Sequence, residues 1–203
     1  KSLPESSFLN FEISLTKRQK LLQKLSTILD WEYLPDPVSN YADLEQFFYF
    51  KTKWINYRYN NLESKNKDFL LFDLSYSEGA FIAKEDLRST FLQIKVHQKM
   101  PVFTLDKENF MTAILQLSGL QDVDFKKHPD FSKRFYLSGE DVKSIRSFFT
   151  DELIFFFESH PTYYLESNGD SILIRGKERL ASIQEIKQML AFAEELLKIL
   201  ENK

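Results

Sequence analysis

The residues able to do chemistry in this sequence are few and scattered. Asp73 sits inside the apolar run Phe69-Leu70-Leu71-Phe72-Asp73-Leu74, where an ionised carboxylate must find donors or shift its pKa. Arg58, Arg88 or a backbone N–H is the expected partner. The sharper alternative is a general acid or base, paired with Glu158 or Glu166. Ser132 lacks the G-x-S-x-G surround of a hydrolase nucleophile, so a triad with His128 or His160 has no local support. His97, His128 and His160 are the three histidines of the chain. They lie far apart and show no HExxH spacing, so no metal site is expected. His128 reads as a loop tether and His160 as a helix C-terminal residue.

Two further groups of residues could bind without reacting. Phe47, Phe50, Trp54 and Tyr57 belong to an aromatic block, Tyr41 to Tyr59, that can line a lipophilic cavity or stack a flat ligand. The ordinary use of such a block is core. Lys126, Lys127, Lys133 and Arg134 place four cations around one polar loop, which can meet an acidic partner or anionic head groups. A solvated loop is the ordinary reading there.

Composition narrows the classes. Of 203 residues, 20 are Phe, 9 Tyr and 2 Trp, against only 5 Gly and no Cys. Without cysteine there are no disulfides, thiolate nucleophiles or thiolate metal sites. No glycine-rich phosphate loop is present, and no cofactor is expected. A net charge of −3 is unlike the basic face of a nucleic-acid binder. No apolar run reaches the ~18 residues of a membrane span, and no signal peptide is seen. The chain begins with Lys1, which is read as the start of a piece of a longer protein.

The elements that must position these residues follow from spacing. Phe8, Phe11, Ile13 and Leu15 suggest a short strand or anchor. Thr16 with Gln19 forms a capping box before an amphipathic helix ending near Asp30. A short helix is expected over Ala42 to Phe50, then a strand from Ile55 to Leu62. Asp68 to Ser77 alternates with both faces partly apolar and reads as a central strand, with Thr90 to Val96 antiparallel to it. Asp106 is expected to cap a helix with the stripe Phe110, Ile114 and Leu117, stopped by Gly119. Asp122 to Phe125 and Phe135 to Leu137 read as strands, and Ser138 with Asp141 as the cap of a helix carrying Val142, Ile145, Phe148 and Phe149. Thr150 offers a second cap and Pro161 a stop. Asn168-Gly169 marks a hairpin, and Ser182 with Glu185 caps a C-terminal helix. The result is an α+β fold with a mostly antiparallel sheet and helices on one side. Residues 1–203 are read as one domain, with two similar lobes, 1–97 and 101–203, as the alternative.

The run Pro101 to Leu105, Asp124-Phe125 with His128 to Ser132, Leu137-Ser138-Gly139, Arg146 to Thr150 and Glu166 with the hairpin resembles an uncharacterised family of bacterial proteins. Phe72-Asp73-Leu74-Ser75-Tyr76 is similar to an FDYxY-like strand of that family. The resemblance implies hydrophobic helices before the domain in many members, and no assigned activity, so no catalytic residue is carried over. Together these readings give a non-enzymatic interaction or sensory domain, cytoplasmic or membrane-tethered facing the cytoplasm, with an unknown protein partner. The alternative is a module for a small apolar ligand in a Phe/Tyr-lined pocket, and behind it a carboxylate-based enzyme.

Overall fold

Strand Phe69–Glu78 is buried along nearly all its length, and the sheet extends from it in both directions. The computed structural model describes residues 15–79, 85–107 and 120–201. In chain order these form α1 (Lys17–Leu29), β1 (Glu32–Leu34), β2 (Trp54–Glu63), β3 (Phe69–Glu78), β4 (Glu85–Lys95), β5 (Phe103–Lys107), β6 (Gln121–Asp122), α2 (Pro129–Arg134), β7 (Phe135–Gly139), α3 (Val142–Phe148), α4 (Asp151–Ser159), β8 (Tyr164–Ser167), β9 (Ser171–Arg175) and α5 (Ile183–Glu201). The nine strands make one sheet of order β1-β2-β3-β4-β9-β8-β5-β7-β6. Every pairing is antiparallel. This is the α+β architecture expected from the alternating runs.

Alternation along each strand gives the sheet two different faces. On one, Leu62, Leu71, Leu92, Leu105 and Leu165 meet apolar residues of all five described helices, including Leu22, Phe131, Ile145, Leu153 and Ile186. On the other, Phe72, Leu74, Tyr76, Phe91 and Tyr164 are covered by Leu44, Phe47, Tyr49 and Phe50. The described helices therefore occupy a single face, and an aromatic segment occupies the opposite one. Among the described residues no helix is long and apolar enough to cross a membrane.

The helix ends obey local chemistry. Thr16 Oγ1 accepts the Gln19 N–H at 3.2 Å while Gln19 Oε1 accepts that of Thr16 at 2.8 Å, and Ser182 with Glu185 repeats the exchange before α5. Thr150 caps α4. Gly169, at φ 101°, turns the β8–β9 hairpin.

Three local expectations differ from the structure. Ala42 to Phe50 is not a helix; turns lead to a single 3-10 turn at Phe48–Phe50, because burying Leu44, Phe47, Tyr49 and Phe50 against the sheet outweighs local helix geometry. Asp106 lies in β5, which runs to Lys107 in register with Tyr136 and Phe135, and the helix it is expected to cap lies outside the described residues. Ser138 stays in β7, where Thr104 Oγ1 lies 2.7 Å from its hydroxyl, and Asp141 caps α3 instead, accepting the Ser144 N–H at 3.0 Å. The loop before β7 folds into α2, with Pro129 at its start. The expected anchor at Phe8 to Ile13 and the stripe Phe110, Ile114 and Leu117 lie outside the described residues.

Candidate functional site

Asp73 is 1% exposed and faces the helices. Its partner is Arg18 of α1, in place of the expected Arg58 or Arg88. Arg18 Nε donates to Oδ2 and Nη2 to Oδ1, both at 2.7 Å. Asn60 Nδ2 donates to Oδ2 at 2.8 Å and Thr90 Oγ1 to Oδ1 at 2.7 Å. Arg18 Nη1 continues to the Ala181 carbonyl at 2.7 Å, and the Ala181 N–H returns to Thr90 Oγ1 at 2.9 Å. The carboxylate is thus a hub that ties β2, β3, β4, α1 and the loop before α5 together. Burial and the nearby Asp73 charge raise the Tyr33 and Tyr59 hydroxyls to about 12.

Glu166 lies on the opposite face, 2% exposed. Its Oε2 accepts the Tyr49 N–H at 2.9 Å and the Tyr164 hydroxyl at 2.6 Å, and Oε1 accepts the Phe48 N–H. It therefore clamps the 3-10 turn onto the sheet. Burial pushes its pKa up, and the three donors work against that rise. Beside it Asp106 is also raised, chiefly by burial. Glu158 is half-buried in α4. Asp73 and Glu166 are not brought together, so these two do not form an acid–base pair.

The remaining candidates separate in the same way. Phe47 and Phe50 are core, Trp54 is 59% exposed at the start of β2, and Tyr57 meets Tyr59 in a tilted ring contact at 5.4 Å. Lys126, Lys127 and Lys133 are exposed. Arg134 is engaged: Nη1 donates to the Glu158 carbonyl at 2.6 Å, Nη2 to that of His160 and Nε to Thr162 Oγ1 at 3.1 Å. His97, His128 and His160 face Asp68, Asp151 and Glu195 individually. Among the described residues no group of three or more His, Cys, Asp or Glu could hold a metal ion.

What the fold does build is a cleft of about 330 Å³ between the helix face of the sheet and the first turns of α5. Extending the Phe91–Arg175 and Arg175–Tyr164 registers by one residue lines up Thr90, Gly176 and Tyr163 across three strands. At Gly176 this row has no side chain, and a Cβ there would touch nothing closer than the Tyr163 ring at 3.9 Å. The floor is hollow for that reason. Tyr163, Pro161, Ala181 and Met189 supply apolar surface, and Lys107, Lys177, Arg179 and Glu185 supply charge. Arg179 holds Glu185 at two points, 2.6 and 3.0 Å, which lowers the Glu185 pKa to about 2. The cleft thus carries apolar surface within and, at its edge, three cations of which Arg179 and Lys177 share Glu185, the latter at 3.6 Å. Its two threonine hydroxyls are engaged, Thr90 in the Asp73 hub and Thr162 by Arg134.

None of Gly176, Lys107, Lys177 or Arg179 stands out from the sequence. The available signal was Gly176-Lys177-Glu178-Arg179, a glycine at the end of an apolar strand followed at once by charge, just before a capping box.

Among the described residues the chain is an α+β scaffold, a nine-stranded antiparallel sheet with helices on one face and aromatics on the other. The fold is similar to the crystal structure of the mycobacterial trehalose monomycolate transport factor A, TtfA, at a TM-score of 0.62 over 90% of this chain and 93% of that chain. The two are 8% identical, so the likeness concerns the fold. No family model matches the sequence, and the search of curated proteins finds no match. The resemblance to uncharacterised bacterial proteins accordingly rests on its short runs alone.

Proposed function

We propose that this chain is a non-enzymatic binding domain that holds a small amphipathic anion in the cleft over Gly176. One observation carries the reading: Asp73, the most deeply set carboxylate candidate, fixes the cleft wall through Arg18 and Ala181 and does not face the cleft. The lining is left with apolar surface, three cations and a Glu185 that Arg179 holds, a composition for holding a molecule and not for transforming it. A transport factor of the same fold is compatible with that role. The ligand would differ from the expected one in position and charge, using Tyr163 and Met189 instead of the Phe47 to Tyr57 block. The single sheet, joined across β4 and β9, supports reading the chain as one domain.

The broader reading, an interaction or sensory domain, keeps Lys126, Lys127 and Lys133 as contacts for an acidic partner. The test of the cleft uses 8-anilinonaphthalene-1-sulfonate, an anion with an aromatic body. Saturable 1:1 fluorescence enhancement, weakened at least tenfold by Gly176→Val and strongly by Lys107→Gln with Lys177→Gln, supports the proposal. Binding that ignores all three substitutions, or no binding, defeats it. Native mass spectrometry against the denatured mass would then identify any carried molecule.

A further inference from the structure

A second cleft, of about 210 Å³, lies on the other face of the sheet beside β1, and nothing above assigns it. Glu32, Leu34, Val38, Arg58, Asn61 and Glu63 are among its lining. The feature that makes it a site is Asn61. Its residue exposure is 7%, yet neither Nδ2 nor Oδ1 has a hydrogen-bond partner among the described residues. A buried amide left this way is costly, and natural folds rarely keep one without reason.

The backbone forces the placement. Asn60 adopts φ 53°, and the β2–β3 register shifts between Tyr59 and Leu62, the mark of a bulge. Asn60 is turned to Asp73 and the Tyr33 hydroxyl on the helix face. Leu62 also packs on the helix face, so Asn61 between them is directed to the second cleft. The guanidinium of Arg58 has a similar surplus: Nη1 donates to Asp43 Oδ2 at 3.0 Å, while Nε is buried without a hydrogen-bond partner among the described residues. At the rim Glu32 stands directly opposite Glu63 in the β1–β2 register. Facing like charges are unfavourable, and neither carboxylate has an ion-pair partner among the described residues.

We propose that this cleft binds a small zwitterion of the α-amino-acid class. Glu32, Glu63 and Asn61 Oδ1 are acceptors suited to an ammonium group, and Arg58 Nε and Asn61 Nδ2 are donors suited to a carboxylate. Leu34, Val38 and Leu70 form the apolar wall for a side chain. The cleft has the volume of roughly seven waters, which admits a molecule of that size. The site is independent of the cleft over Gly176, being on the opposite face.

The test is saturation-transfer NMR and calorimetry on the whole chain with glycine, L-leucine, L-glutamate and L-lysine as probes. At least one should bind saturably, with affinity cut tenfold or more by Asn61→Ala and by the exposed, fold-neutral Glu32→Gln. For L-leucine, the analogues L-leucinamide and 4-methylpentanoate, each lacking one charge, should bind at least tenfold more weakly. Gly176→Val should leave this binding unchanged even if it abolishes binding at the first cleft. No binding of any probe at 10 mM, binding indifferent to Asn61→Ala and Glu32→Gln, or calcium chloride displacing the need for an amino acid would each overturn the proposal.

Discussion

Arg18 grips Asp73 by two parallel 2.7 Å bonds across 55 residues of sequence. The two residues are unequal in burial, Arg18 at 22% side-chain exposure and Asp73 at 1%. Removing the arginine strands a charge that water cannot reach; removing the charge leaves an arginine that water can. Arg18→Met should therefore destabilise the protein by about 3–5 kcal/mol, and Asp73→Asn by less, about 2 kcal/mol. Urea unfolding of the two variants decides the order. Because Arg18 also fixes Ala181, both variants should weaken the anionic probe in the cleft over Gly176.

Asp106 offers a pH test with a definite sign. Burial raises its folded pKa above the ordinary 3.8, and one of its oxygens has no partner among the described residues. The native state thus binds this proton more tightly than the unfolded chain. Its contribution to stability is present below the unfolded pKa and is lost as pH rises through the folded value. Asp106→Asn removes the titration. The stability of the wild type minus that of Asp106→Asn should fall between pH 4 and pH 8, and a difference that rises over that range would contradict the burial argument.

How much of this could be read from the sequence depends on range. The capping boxes at Thr16 and Ser182, the Asn168-Gly169 hairpin and the two-sided burial of Phe69–Glu78 are local patterns, and all are present. Asp73 was legible as a buried carboxylate, but its partner was not, because Arg18 approaches from a helix far away in sequence. Ser138 shows the converse: it carries a sound local cap signal, overridden by ladder bonds between β5 and β7 that no short window contains. The cleft over Gly176 is the hardest case, since it exists where a side chain is missing from a row assembled from three strands.

Arg134 joins the end of α4 to the strands by side-chain contacts to the Glu158 and His160 carbonyls and to Thr162, while its guanidinium lies 4.9 Å from the Phe135 ring centre. These carbonyls end a helix and have no ladder partner of their own. Arg134→Ala should cost about 2–3 kcal/mol through lost charged hydrogen bonds. Arg134→Lys should recover little of it, because one ammonium cannot reproduce the planar fork. Amide exchange across residues 156–163 is the measurement, with faster exchange there than in α1 as the expected result.

Two glycines then separate a structural from a functional demand. At Gly139 an added Cβ would stand 2.7 Å from the Val102 carbonyl oxygen and 2.4 Å from Ile145 Cδ1. The first of these atoms is backbone and cannot swing aside, so Gly139→Ala should destabilise by about 1–3 kcal/mol without altering ligand chemistry. At Gly176 the same methyl group meets the Tyr163 ring at an ordinary 3.9 Å. Gly176→Ala should therefore unfold at the wild-type urea concentration, within about 0.5 kcal/mol, yet bind the anionic probe more weakly, with Gly176→Val weaker again as the floor fills. A Gly176 series that lost stability in step with binding would mean that this glycine serves the fold, and the cleft above it would lose its claim to be a site.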